Sequence, residues 1–312
     1  VFSQNLKRQF LESIDQWSPD SLFLSIIGPT ASGKTAAALL EARKIPKARQ
    51  PLLVSVDAGA VYSGVDIGTA KPTLAEQEEF NWAGISFVPP RKPCDLNLFV
   101  SHAQPQIEQA LSTGRAVWLV GGSHFYEQAF TQGQMPGAAS DPIFLQSLSH
   151  ESNLDLYSKL GRLDQRWAEK VHPNDRYRLK RFSDLVRRQG LSFDQLSVPV
   201  APTFHRYLKS IPTLVLGDQV PRDVYESRIE RRVHDWISGG WVDEVAALIK
   251  SGLDPEAPGL QVMGYPEVVS VVQGEATIKE VAHQIITQHL QLVKKQKTWL
   301  RGLKSSWVDP FN

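Results

Sequence analysis

Short apolar runs punctuate the first half of this chain, each ending in a polar or glycine-rich break. Three of them, at residues 22–27, 52–56 and 116–120, have the length and β-branched content of buried parallel strands. A fourth, at 212–216, comes much later. Between them apolar positions recur at helical spacing over 35–44, 98–113 (closed by Gly114) and 126–131. Strands alternating with helices predict an α/β fold. Its centre is a doubly wound parallel sheet flanked by helices, with ligands at the carboxyl ends of the strands.

From Gln132 to about Pro202 the alternation stops. A Gly/Pro/Ala/Ser segment at 133–140 opens a stretch that reads as helices, and the sheet pattern resumes at 212. This predicts a helical insertion, 133–202, in a core built from 21–132 and 203–312. After Pro221 the chain reads as helix nearly to its end, broken at Gly239-Gly240, Gly252 and 255–259. At the other end Leu6, Phe10 and Ile14 recur every four residues. They predict a short amphipathic helix over 1–20 that packs on the domain.

Composition narrows the class. The 312 residues exceed the roughly 100–200 of one ordinary domain, and a hydrophobic fraction of 42% supports a sizeable core. Net charge is only +1, so any nucleic-acid contact must come from local clustering. Residues 161–190 supply such a cluster, with nine Lys/Arg against four Asp/Glu. A second lies at 294–304, read as turn-rich, where Lys294, Lys295, Lys297, Arg301 and Lys304 surround Trp299 without an acid. The single cysteine, Cys94, excludes an intramolecular disulfide framework and a multi-cysteine zinc site. No run of about 18 apolar residues is present, and the first 20 residues lack the apolar centre of a secretory signal. The expectation is a cytoplasmic protein without a membrane span.

The breaks carry the chemistry. The first is Gly28-Pro29-Thr30-Ala31-Ser32-Gly33-Lys34-Thr35, the phosphate-loop spacing G-x-x-x-x-G-K-[ST] between a strand and a helix. Its glycines let successive N–H groups turn inward, Lys34 adds a charge, Thr35 offers a hydroxyl to Mg²⁺, and the helix contributes its positive end. Asp57 closes the second run, followed by the polar loop 66–72. Gly121-Gly122-Ser123 closes the third. An acid at Asp57 either holds Mg²⁺ through water or acts as a base. The third run lacks the acid that a switch-type NTPase places there, which counts against an ATPase or GTPase. In the helix after Pro221, Tyr225, Ile229, Val233 and Trp236 form the apolar stripe. Arg228 and Arg232 flank it as phosphate clamps, and Arg231 points nearly opposite as a surface charge. At this level the ligand is a pyrophosphate or polyphosphate, and which one stays open.

Taken in order, these segments resemble the tRNA dimethylallyltransferases, also called tRNA isopentenyltransferases, over about residues 22–301. The marks are GPTASGKT at 28–35, Ser55-Val56-Asp57, VDIGTAKP at 65–72 and VGGS at 120–123. Later ones are His172-Pro173-Asn174-Asp175 with Arg178 and Arg181, then Gly264-Tyr265, and Lys294-Lys295-Gln296 with Thr298-Trp299. The resemblance implies a P-loop NTPase-like fold. It also implies transfer of a dimethylallyl group from its diphosphate to N6 of the tRNA adenosine just 3′ of the anticodon, with release of pyrophosphate. Gly28, Thr30, Ala31, Ser32, Gly33, Lys34 and Thr35 would then hold a prenyl diphosphate, with Mg²⁺ on Thr35. Asp57 would be the general base. Ser123, where the family usually carries Thr, would bond near the amine and the diphosphate, and Arg228 would neutralise the leaving pyrophosphate. Implied tRNA contacts are Asp57, Ala58, Gly59, Ala60, Tyr177, Arg178, Lys180, Arg181, Gln261, Gly264 and Tyr265. The expected partners are the anticodon stem-loop and dimethylallyl diphosphate, bound by a monomer.

Several positions depart from the family pattern. Ala58 and Gly59 follow the Asp where Ser is usual, and His289-Leu290 replace a Thr-Arg pair. Lys295 replaces Arg, Pro266 takes an often polar place, and Leu145 stands where some members carry Arg. The cysteines of the eukaryotic C-terminal zinc finger are absent, which implies the bacterial type. Two other readings share part of the pattern: an ATP-dependent small-molecule kinase, and an RNA-binding relative with weakened catalysis.

Overall fold

The structure, a computed structural model, describes residues 22–303 apart from 135, 138, 139, 209, 210, 212, 218 and 219. The helix expected over 1–20, Lys304 and Pro212 lie outside the described residues.

The chain opens with β1 (Phe23–Ile27), α1 (Lys34–Ala42) and β2 (Leu52–Val56). A short α2 (Leu74–Glu79) and the two-residue β3 (Trp82–Ala83) precede α3 (Leu96–Ser112), β4 (Val117–Gly121) and α4 (His124–Thr131). Every residue of β1, β2 and β4 is buried, as a parallel sheet covered on both faces requires. Neither α2 nor β3 was expected from the sequence pattern. α2 has no buried residue to give it a periodic signal, and is set instead by a capping box between Thr73 and Glu76.

Residues 128–202 form a compact unit of their own. It contains α5 (Pro142–Ser147), α6 (Asn153–Leu163), α7 (Arg166–Lys170), α8 (Arg176–Ser183) and α9 (Phe193–Ser197). Leu156, Leu160, Trp167, Leu179, Phe182 and Leu185 make its core. A π turn follows α8 and carries Asp184, fully buried and bonded by Arg181, Arg188 and Gln189.

The remaining unit, 1–127 with 203–312, is completed by β5 (Thr213–Val215) and four helices. These are α10 (Arg222–Ser238), α11 (Trp241–Lys250), α12 (Tyr265–Val272) and α13 (Ile278–Leu303). The sheet is parallel throughout, in the order β3-β2-β4-β1-β5. Alternate strand residues Leu24, Ile26, Leu53, Trp118 and Val120 pack on Ala38, Leu39 and Ala42 of α1. On the other face, Ser25 Oγ donates to buried Glu127 of α4 at 2.9 Å, and Phe99 of α3 stacks on Tyr126.

The basic segment read as turn-rich is instead helical: α13 runs unbroken through Lys294, Lys295, Lys297 and Arg301. Its buried positions Val281, Ile285, His289, Val293 and Leu300 recur at helical spacing, so the fold holds one continuous stripe. The cations lie on the same helix as this stripe and do not interrupt it.

Candidate active site

Strand register builds the site. Ile27 and Val56 both pair with Gly121, and Ile27 with Val215. Gly28, Asp57 and Gly122 therefore leave the sheet at one level of one edge. Ser123 is fixed there too, its N–H donating to Val56 O at 3.0 Å.

The loop between β1 and α1 curls tightly. A side chain at Gly28 would lie 2.2 Å from Leu216 O, so only glycine lets β1 turn beside the end of β5. The backbone passes through the left-handed region at Ala31 (60°) and Gly33 (89°). No side chain caps the N-terminus of α1, which leaves first-turn N–H groups for an anion. Lys34 Nζ donates to Pro29 O at 3.1 Å within the loop.

Two helices close over it. From α10, Arg228 donates to Ala31 O at 3.2 Å, and Arg232 donates to Thr30 Oγ1 at 3.0 Å. Arg232 also lies over the ring of Trp236, and Arg231 is exposed. From α13, Gln296 accepts from Thr30 N and donates to Gly122 O, both at 2.8 Å, tying the loop to the end of β4. Two turns earlier His289 is buried, with Nδ1 at 2.9 Å from Ile285 O and its ring against Trp236.

Three cations, Lys34, Arg228 and Arg232, thus gather around a phosphate loop. Asp57 is the carboxylate that acts on two of them. Burial pulls Lys34 down to about 8; Asp57 opposes this and Arg232 reinforces it. Burial likewise lowers Arg232, again against Asp57. Asp57 Oδ1 accepts from Gly59 N at 2.9 Å, which fixes the carboxylate. Along α10, Asp223, Ser227, Arg228, Arg231, Arg232 and Trp236 line an open hollow of about 590 Å³. A cationic loop beside a fixed carboxylate is an arrangement that can stabilise a departing diphosphate while a proton is removed nearby.

A magnesium ion fits this donor set in one way. Among the described residues no group of three or more His, Cys, Asp or Glu side chains forms a cage. Mg²⁺ usually takes one or two protein oxygens plus substrate phosphates. Thr35 supplies a hard hydroxyl oxygen in the first turn of α1.

The residues expected to touch tRNA divide sharply. Ala58, Gln261, Tyr177 and Arg178 are exposed, Tyr177 at 75%. Gly59, Ala60 and Gly264 are buried. Tyr265 is fully buried, and its hydroxyl donates to Glu244 and accepts from Gly68 N. The Tyr265 side chain thus bonds inside the fold. Lys180 donates to Leu145 O and Ser149 Oγ, and Arg181 to Ser140 Oγ and Asp184, so both are committed to internal bonds. Gln296, in the segment Lys294-Lys295-Gln296, is a site residue that the sequence pattern does not single out. The signal that could find it is helical spacing, seven residues after His289 on α13.

A parallel sheet whose first strand feeds a phosphate loop, with a fixed carboxylate at the same edge, defines a P-loop-type protein that handles a phosphorylated substrate. The family model described as IPP transferase matches residues 60–303, and the chain belongs to that family. It is 35% identical over 287 residues to a tRNA dimethylallyltransferase of Ralstonia nicotianae, covering 89% of this chain and 87% of that one. A similar relative, the tRNA dimethylallyltransferase of a Synechococcus species, is 33% identical over 286 residues, covering 91% and 81%. Among solved structures, the full-length tRNA isopentenylpyrophosphate transferase of Bacillus halodurans superposes with a TM-score of 0.59 at 26% identity, covering 89% and 86%.

Proposed function

We propose that this protein transfers the dimethylallyl group of dimethylallyl diphosphate to N6 of the tRNA adenosine adjacent, on the 3′ side, to the anticodon. One observation carries the reading: Lys34, Arg228 and Arg232 gather on a phosphate loop while Asp57 stands fixed at the same sheet edge. The names of the relatives support the substrate pair.

In this reading the diphosphate lies on the first-turn amides of α1, with Lys34, Arg228 and Arg232 on its oxygens. The allylic C1–O bond breaks and its electron pair leaves with pyrophosphate. N6 bonds to C1 and gives its proton to Asp57. The amine is a poor nucleophile, so a positioned carboxylate matters. Charge on the leaving group grows toward the transition state, where fixed cations help most. Ser123 would orient the amine or the diphosphate. Mg²⁺, held by Thr35 and the diphosphate, would supply further charge neutralisation. The adenine must leave the stack of the anticodon loop to reach this edge. Action as a monomer in the cytoplasm belongs to the same reading. So does a contribution to tRNA binding from the exposed cations of residues 128–202 and α13.

The test is incubation with labelled dimethylallyl diphosphate, Mg²⁺ and an anticodon stem-loop, followed by nucleoside analysis. Prenylated adenosine is expected. Binding of ATP without any binding of dimethylallyl diphosphate would replace the reading with a kinase.

A further inference from the structure

The loop 66–69 follows the base in sequence, and the structure shows how it is held. Glu244 reaches from α11, and its Oε2 accepts from Asp66 N at 3.1 Å and Ile67 N at 3.0 Å. Its Oε1 accepts from the Tyr265 hydroxyl at 2.7 Å, and that hydroxyl accepts from Gly68 N at 3.1 Å. Three consecutive backbone amides are thus gripped by one carboxylate and one phenol from two different helices. A side chain at Gly68 would fall 2.1 Å from the Trp241 ring, so the loop lies flat on that indole. On its other side Lys71, buried, bonds Asp66 and Ser86.

The grip leads back to Asp57. Thr69, one residue past the clamp, packs on Gly59, where an added side chain would meet it at 3.0 Å. Gly59 N is the donor that fixes Asp57 Oδ1. We propose that Glu244, acting with Tyr265, is a positioning residue that sets the aim of Asp57 by clamping the loop 66–68. The role rests on the proposed prenyl transfer. It also assigns work to the buried Tyr265 hydroxyl. Acting through backbone, the clamp alters how well the base is placed and leaves the phosphate loop untouched.

The carboxylate needs its charge to accept three bonds. Glu244 is raised by burial, with the bonds from Tyr265, Ile67 and Asp66 opposing and the neighbouring Asp66 charge adding to the rise. The groups facing it are Tyr265 from α12 and Asp66 with Lys71 from the loop. Protonation on acidification removes acceptor capacity and loosens the loop.

The experiment is single-turnover transfer at saturating stem-loop with Glu244→Gln, Tyr265→Phe and the double variant. Dimethylallyl diphosphate affinity and thermal midpoint are measured alongside. In Glu244→Gln the one amide oxygen can still accept from Asp66 N and Ile67 N, but the Tyr265 hydroxyl loses its acceptor and meets an N–H₂ donor instead. A misplaced base is expected to slow transfer about tenfold. Diphosphate affinity should stay within about twofold, since no phosphate-loop contact changes. Tyr265→Phe should give a smaller loss, and the double variant no more than Glu244→Gln, because the two act as one unit. The acid-side fall in the wild-type rate should be reduced in Glu244→Gln. Wild-type rates in both single variants overturn the clamp. So does a loss of diphosphate binding equal to the loss of rate. A wild-type protein that transfers nothing overturns the proposed function, and the clamp's catalytic role with it.

Discussion

Asp57 supports the charge on Lys34 against its burial, and each makes a separate prediction. Asp57→Ala should cut single-turnover transfer by about 10²–10⁴ with dimethylallyl diphosphate affinity nearly intact, because in the proposed mechanism it takes the amine's proton and does not hold the leaving group. Lys34 stands near 8, below its ordinary value of 10.5. Between those two values the unfolded chain holds a proton that the folded chain has lost. Stability of the ligand-free protein should therefore rise with pH across that window, relative to Lys34→Met, in urea titrations. A bound diphosphate reverses the balance by favouring the charged ammonium. Binding near pH 8 should take up protons, read as a dependence of calorimetric enthalpy on buffer ionisation, and Lys34→Met should abolish that dependence. Much of this was legible residue by residue. The octet at 28–35 announces its chemistry through spacing alone, and a helical wheel separates Arg228 and Arg232 from Arg231. The internal bonds of Tyr265 were not legible: a tyrosine next to a glycine gives no sign in the sequence that its hydroxyl meets Glu244 from another helix.

At the scale of elements, α13 shows how a site can depend on a helix far from it in sequence. Gln296 joins Thr30 N to Gly122 O across two loops, so one amide links the ends of β1 and β4. Gln296→Leu leaves a donor and an acceptor without that partner. It should cost about 2 kcal/mol in denaturant unfolding and weaken dimethylallyl diphosphate binding by loosening the loop. Exposed Lys294→Ala, two residues away, should change stability by less than about 0.5 kcal/mol. The sequence read this stretch as turn-rich because consecutive lysines interrupt the apolar count. His289 fills the middle of the stripe from Val281 to Leu300, a polar residue on the buried face. β3 was invisible for a different reason. Two residues carry no period, and only pairing with Leu53 and Val54 makes them a strand. The main strands were readable because each is buried on both faces and so is apolar at every step save Ser25 and Ser55.

For the whole molecule, a net charge of +1 provides little long-range attraction for RNA, so affinity must come from the few cations that a fold leaves outside. In the unit 128–202 the sequence gives a dense basic run, but the structure spends much of it internally. Arg176 bonds the carbonyls of Ser149 and Glu151, Lys180 bonds Leu145 O, and Arg181 and Arg188 hold buried Asp184. Arg178, whose side chain is 64% exposed beside Asp175, and Tyr177 face solvent. The two classes of arginine should therefore separate in one measurement. Binding of a fluorescent anticodon stem-loop is followed from about 50 to 200 mM salt, where each phosphate contact adds roughly 0.7–0.9 to the slope of log affinity against log salt. Arg178→Ala should lower that slope by about one contact, with the thermal midpoint unchanged. Tyr177→Ala should weaken binding by about 1–3 kcal/mol at every salt concentration through lost base stacking, leaving the slope alone. Arg181→Ala should do the opposite of Arg178→Ala. It should lower the thermal midpoint, because Asp184 stays buried with one partner fewer, and leave the slope unchanged where the protein is folded. An equal loss of slope in Arg178→Ala and Arg181→Ala would mean that the internal bonds of Arg181 give way to RNA, and that the division between inner and outer cations does not govern binding.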